Sequence, residues 1–150
     1  MKAVILAAGK GTRLQGLTKD RPKALMDVGG ITAIEHIIQG LKGADIDQLI
    51  VVIGYHGEMI QELLKDGSKL GVSIEYVEQK VLNGTGSALH LTKDVVGPSP
   101  FVMTYGDIII SPGNYRDMRS LWEQIEADGL LAVNWVEDPY AGAAVYFDEN

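Results

Sequence analysis

The stretch Lys2-Ala-Val-Ile-Leu-Ala-Ala-Gly-Lys-Gly-Thr-Arg-Leu14 decides the fold class. Lys2 to Ala7 is apolar without alternation, as a strand buried on both faces of a parallel sheet is, and it runs straight into a glycine-containing loop. Outward from it, strand and helix patterns alternate. Ile31, Ile34, Ile37, Ile38 and Leu41 fall at helical spacing, and Thr32-x-x-Glu35 has the form of a capping box. Leu49 to Ile53 reads as a second strand with Gly54-Tyr-His-Gly57 as its exit turn, followed by a helix over Glu58 to Lys65. Gly71 precedes a third strand, Val72 to Val77, whose apolar residues alternate. A helix is predicted over Ala88 to Val96, and a fourth strand over Phe101 to Tyr105 that ends at Gly106-Asp107. Ser111-Pro112 begins a helix with Met118, Leu121, Trp122 and Ile125 as its apolar stripe, and Leu130 to Val136 and Ala143 to Phe147 are two further predicted strands.

Strands alternating with helices imply right-handed crossovers and a doubly wound α/β domain, with a mostly parallel sheet and helices on both faces. No repeat, linker or composition break divides residues 1–150, so a single domain is expected. Ligands of such sheets bind beyond the carboxyl ends of the strands. Function is therefore expected along the edge formed by the turns at Ala7 to Gly11, Gly54 to Gly57 and Gly106-Asp107.

Composition narrows the chemistry. At 150 residues and 46% hydrophobic content the chain can build a core unaided, and the absence of cysteine removes disulfides, thiolate metal sites and a cysteine nucleophile. The aliphatic run Leu49 to Ile53 is far short of the roughly 18 apolar residues of a membrane span, and the apolar part of the N-terminus is too short for a signal peptide. A cytoplasmic protein is expected. The net charge of −7 argues against nucleic-acid binding, but residues 1–26 carry +5 and the rest of the chain −12. A basic, glycine-containing segment on an acidic body points to a local anion site; the plainer reading is a solvated basic loop.

The loop after the first strand does not match two familiar phosphate-binding patterns. A dinucleotide fingerprint needs a small residue at position 14, where Leu14 stands, and a P-loop needs Lys-Ser or Lys-Thr after its last glycine, where Thr12-Arg13 stands. What remains is a glycine loop whose amides can hold a phosphate chain, with Arg13 able to grip two phosphate oxygens, or an ordinary strand-to-helix turn. Arg21-Pro-Lys-Ala-Leu25 adds a lysine next to Pro22, whose ring fixes the local backbone.

Together these segments resemble the signature of the sugar-phosphate nucleotidylyltransferases, L-A-x-G-x-G-[TS]-R-L followed by a threonine-containing stretch and P-K-x-L. Val51 to Glu58, Glu78-Gln79 with Gly84-Thr-Gly-Ser-Ala88, Tyr105-Gly-Asp107, and Glu137-Asp-Pro139 through Gly142 are similar to further motifs of that family, in the same order.

The resemblance implies a Rossmann-like nucleotidyltransferase fold, and an Mg²⁺-dependent transfer of a nucleotide from a nucleoside triphosphate to a sugar 1-phosphate of the glucose 1-phosphate type. It implies that Leu6, Ala7, Ala8, Gly9 and Gly11 hold the nucleotide's sugar and phosphates. Arg13 and Lys23 contact the triphosphate and the attacked α-phosphate, and Gln79, Gly84 and Thr85 sit at the base. Tyr105 and Gly142 lie at the acceptor sugar, and Asp107 binds Mg²⁺. An amide at Gln79 offers a donor and an acceptor to the O4 and N3–H edge of uracil or thymine, which favours UTP or dTTP. The expected partners are the two substrates, with no nucleic acid and no membrane; a homo-oligomer is left open. In the family a second metal-binding acid and an acceptor-sugar acid lie further along than Asn150, so the domain is expected to be truncated.

Plainer readings stand beside these. Gln79 could end a strand at the surface, and Asp107 alone could cap a turn. His36, His56 and His90 lack metal spacing, Glu75 and Glu78 read as solvated, and Trp122 and Trp135 as packing residues. The functional alternatives are a non-catalytic relative that binds nucleotide or sugar phosphate, and a cytidylyltransferase acting on a phosphorylated alcohol.

Overall fold

The computed structural model describes residues 1–9, 20–138 and 145. Strand β1 (Lys2–Leu6) lies inside a four-stranded sheet of order β5-β4-β1-β6, with β4 at Gln48–Ile53, β5 at Ser73–Glu78 and β6 at Phe101–Tyr105. Every pairing in that sheet is parallel, and Leu6 lies level with Val52 on one side and Tyr105 on the other. A separate two-stranded ribbon, β2 (Asp27–Val28) and β3 (Ile31–Thr32), leads into helix α1 (Ala33–Lys42).

The alternation of β1 between two cores explains its unbroken apolar sequence. Ala3 and Ile5 join Leu49, Val51 and Ile53 of β4 against Ile34, Ile37, Ile38 and Leu41 of α1. Ile60 and Leu64 of α2 (Gly57–Leu64) and Tyr115 of α5 (Pro112–Trp122) complete that face. Val4 and Leu6 turn the other way with Ile50 and Val52, under Ala88 of α3 (Thr85–His90) and Val96 of α4 (Lys93–Val96). The domain is thus doubly wound, with helices on both faces, as the alternation of elements predicts. Ile5, Ile34, Ile37 and Ile38 are at most 1% exposed, and each such side chain contributes about 1.5–3 kcal/mol relative to leaving it in water.

Local signals read from the sequence are realised in α1 and α5. The Glu35 carboxylate accepts from the Thr32 backbone N–H at 2.9 Å and from its hydroxyl at 2.6 Å, tying down the entry to α1. Pro112 opens α5 at its first turn. Arg119 then donates to the carbonyl oxygens of Ala44 at 2.6 Å and Asp45 at 3.2 Å, and Arg116 to that of Gly43 at 3.2 Å. These bonds place two cations at the carboxyl end of α1, where its dipole favours them.

Three expectations differ from the structure. The helix predicted over Ala88 to Val96 is two short helices, because the Thr92 hydroxyl donates to the Leu89 carbonyl at 2.7 Å and draws the backbone out of the α ladder. Leu130 to Val136 forms no strand: it has no ladder partner among the described residues, and Leu131, Val133 and Trp135 are 68%, 55% and 95% exposed. Alternation without a neighbouring strand leaves the backbone unpaired, so the pattern alone does not make an element. Trp135 is accordingly no packing residue. The α5 stripe also shifts: Tyr115 is the buried contact, while Leu121 and Ile125 are exposed. The predicted strand Ala143 to Phe147 lies outside the described residues, apart from Val145.

Gly40 lets α1 and α5 approach. A β-carbon there would lie 2.8 Å from two ring atoms of the buried Tyr115. Alanine favours a helix over glycine by about 1 kcal/mol, whereas overpacking costs about 1–3 kcal/mol. Gly40→Ala is therefore expected to lower the urea unfolding free energy by about 1 kcal/mol despite the better helix former. A rise in stability would show that the α1–α5 seam has room to spare.

Candidate active site

Backbone hydrogen bonds carry the sheet's order past its carboxyl edge. Ala7 N–H donates to Val52 O at 2.8 Å, Gly106 N–H to Leu6 O at 2.9 Å, and Gln79 N–H to Ile53 O at 2.8 Å. The loops that follow β5, β4, β1 and β6 therefore start side by side. Within this row Leu6, Ala7 and Ala8 are buried and Gly9 is exposed, the arrangement of a strand that opens into a loop.

The segment before α1 is fastened to the same edge. Pro22 O accepts from Leu25 N–H and Lys23 O from Met26 N–H, both at 3.0 Å, making a single 3₁₀ turn over Lys23–Leu25. Ala24 and Leu25 are buried in the larger core, which anchors the turn. A β-carbon on Gly106 would lie 3.0 Å from Ala7 Cβ and 3.3 Å from Ala24 Cβ, so the bare glycine lets three segments meet. The result is that Lys23 Nζ stands 3.7 Å from Asp107 Oδ2, with the two side chains 24% and 39% exposed. Lys23 is held by its turn, as expected from Pro22, but its pairing with Asp107 was not readable from either motif alone.

Gln79 follows β5 directly and is only 5% exposed. Its amide nitrogen donates to the Gly84 carbonyl at 3.2 Å and to Asn83 Oδ1 at 3.3 Å. The surface-residue reading of Gln79 therefore fails. The donor half of its amide, expected to face a base, is engaged within the loop. Asn83 is the residue that sequence reasoning missed; its one signal was its position immediately before Gly84. Thr85 is exposed at the start of α3, and Tyr105 is 38% exposed on the same sheet face as Leu6. Arg13, Gly11 and Gly142 lie outside the described residues.

The turn after β4 carries its own constraint. His56 adopts a left-handed backbone at φ 53°, its ring centroid lies 4.1 Å from that of Tyr55, and its Nδ1 is 3.2 Å from Glu58 Oε1. Glu58's own backbone N–H and the His56 ring hold the Glu58 carboxyl below its ordinary range. His36 is occupied at the Val28 carbonyl, 2.7 Å from Nε2.

Among the described residues no cluster of three or more His, Cys, Asp or Glu could hold a metal ion. Asp107 offers a single partly exposed carboxylate at the end of β6. That set suits Mg²⁺, which takes one or two protein carboxylates and completes its shell with phosphate oxygens and water.

The parallel, doubly wound sheet thus gathers a cation, a carboxylate and a buried amide along its carboxyl edge, where ligands of such sheets bind. The chain belongs to the nucleotidyl transferase family, whose model matches residues 2–146. It is 38% identical over 140 residues to the low-salt glycan biosynthesis nucleotidyltransferase Agl11 of Haloferax volcanii, covering 93% of this chain and 39% of that protein. It is 34% identical over 151 residues to the UTP–glucose-1-phosphate uridylyltransferase AglF of the same organism, covering 99% of this chain and 61% of the relative. A crystal structure of a Bacillus anthracis protein assigned as a glucose-1-phosphate thymidylyltransferase, in complex with sucrose, superposes with a TM-score of 0.77. The two are 34% identical, and the match covers 83% of this chain and 51% of the other. The chain thus spans between about two fifths and three fifths of the curated relatives' length. No helix among the described residues is long and apolar enough to cross a membrane.

Because the Lys23–Asp107 pair is partly solvated, it contributes no more than about 1 kcal/mol. Asp107→Asn should leave the urea midpoint nearly unchanged, so a functional defect in that variant would not arise from unfolding. A large loss of stability would instead make Asp107 a structural turn residue.

Proposed function

We propose that this site transfers a nucleotidyl group from a nucleoside triphosphate, UTP or dTTP by preference, to a sugar 1-phosphate of the glucose 1-phosphate type, with Mg²⁺. The observation that carries the reading is the meeting of Lys23 and Asp107 at 3.7 Å beside the exit of β1. Two motif residues far apart in sequence converge where the basic loop begins. The names of the uridylyltransferase and thymidylyltransferase relatives support the same class of reaction.

In this reading a phosphate oxygen of the sugar 1-phosphate attacks the α-phosphorus in line. The bond from that phosphorus to the oxygen bridging the α- and β-phosphates breaks, and pyrophosphate leaves with the electron pair. The protein's contribution is position and charge. Lys23, presented on a fixed turn, neutralises the α-phosphate, and Arg13 takes the triphosphate with its forked guanidinium. Asp107 would hold Mg²⁺, which neutralises phosphate charge when bound. Lys23 then exchanges a carboxylate partner for a phosphate, so the cation is preordered before substrate arrives. Tyr105 and Gly142 would line the acceptor sugar, and the backbone from Leu6 to Gly11, with Thr85 opposite, would border the nucleotide.

Pyrophosphate release measured across a grid of nucleoside triphosphates and sugar 1-phosphates with Mg²⁺ tests the reading; the absence of release with every pair would overturn it. Arg13→Ala is expected to lower turnover by about 10²- to 10³-fold, the effect of removing one preorganised donor to developing charge. Near-normal turnover would take Arg13 out of the reaction. Asp107→Asn should lose most of the Mg²⁺ response of the rate, whereas a titration superimposing on that of the parent would leave Asp107 no metal role.

A further inference from the structure

Loops that leave β1, β4 and β5 come together at Gly54, immediately after β4. A β-carbon on Gly54 would lie 2.9 Å from the Ala8 carbonyl oxygen, 3.0 Å from Ala8 Cβ and 3.1 Å from Leu82 Cδ2. Gly54 does not have a positive φ, so the need for glycine here is one of space rather than of backbone conformation.

The tightest of these contacts is with backbone, which cannot swing aside as a side chain does. Ala7 N–H is bonded to Val52 O at 2.8 Å and Ala8 is 5% exposed, so the chain leading to that carbonyl is fixed. The carbonyl itself accepts from Tyr55 N–H at 3.4 Å. A displacement forced at Ala8 therefore passes forward to the exposed Gly9, where the glycine loop begins.

Leu82 brings in the segment after β5. That segment is fastened at one end where Gln79 N–H donates to Ile53 O at 2.8 Å, and at the other where Gly84 O accepts from Ala88 N–H at 3.1 Å in the first turn of α3. Between these ends Leu82 is 39% exposed and reaches back over Gly54. Neither apolar cluster among the described residues includes it. Its contact instead fixes the segment after β5 against the exit of β1, with the bare backbone of Gly54 as the seat.

We propose that Gly54 and Leu82 are positioning residues that set the spacing between the two segments bordering the nucleotide. The inference rests on the reading of this edge as a nucleoside triphosphate site, and gives neither residue a contact with substrate. Two walls held at a fixed spacing before the ligand arrives reduce the ordering that binding would otherwise require.

The test first compares equilibrium binding of UTP, dTTP, CTP, ATP and GTP to the parent with Mg²⁺, and carries the best-bound nucleotide forward. Its affinity, the KM for glucose 1-phosphate at saturating nucleotide, and urea unfolding are then measured in the variants. Gly54→Ala is expected to weaken nucleotide binding about tenfold, as overpacking against backbone pushes the walls apart, with the KM for glucose 1-phosphate unchanged. Leu82→Ala should weaken it about threefold, and Leu82→Met should restore it because methionine reaches the same seat. Adding Leu82→Ala to Gly54→Ala should weaken binding no further, since the leucine is already unseated. Gly40→Ala, overpacked in the α1–α5 seam, should lose stability and keep its nucleotide affinity. Parental affinity in a folded Gly54→Ala variant overturns the proposal, as does an equal loss in Gly40→Ala or a double variant in which the two losses multiply. If Gly54→Ala does not fold, the Leu82 variants decide, and equal affinities in Leu82→Ala and the parent overturn it. Each of these results leaves nucleotidyl transfer standing, whereas a parent that binds none of the nucleotides overturns both.

Discussion

Burial of β1 on both faces is the constraint on which the rest of the molecule depends. A strand with a helix layer above and below must have neighbours on both of its edges, and β4 and β6 supply them in parallel register. Parallel neighbours bring their carboxyl ends to one side, so their exit loops are collected along one edge without any further device. The carboxylate of Asp107, the amide of Gln79 and the start of the basic loop share that edge for this reason. Chemistry and core are thus linked through one strand, whose residues alternate between two apolar clusters.

Residues buried by their own periodicity were legible from the sequence. The four strands of the sheet, α1 and the entry to α5 all follow from apolar spacing and capping residues, because in those segments local preference and tertiary packing agree. The fold class followed from their order. Leu130 to Val136 was misread because alternation reports compatibility with a sheet and not the presence of a neighbouring strand. The break at Thr92 was missed because a hydroxyl bonding to its own backbone leaves no trace in hydrophobic spacing.

The candidate site was legible as motifs and not as geometry. Gly106-Asp107 and Pro22-Lys23 could each be marked in the sequence, but their contact depends on the small side chains of Ala7 and Ala24 meeting at a glycine. Gln79 was singled out for its amide, whereas the half of the amide available to a ligand is decided by a backbone carbonyl five residues on. Information of that kind lies in hydrogen-bond direction, which residue identity does not encode by itself.

The shortness of α3 has a thermodynamic consequence for that carbonyl. A six-residue helix is well below the length at which a helix persists by itself in water, and α4, beyond the Thr92 break, has only four residues. Ala88 packing on β1 and β4 therefore carries much of the stability of this layer. Local opening there releases the Gly84 carbonyl and, with it, the orientation of the Gln79 amide. Gln79 is thus tied to one of the less cooperative parts of the fold, so any ligand engaging it would slow amide exchange at Ala88 while leaving exchange in the α1 layer almost unaltered.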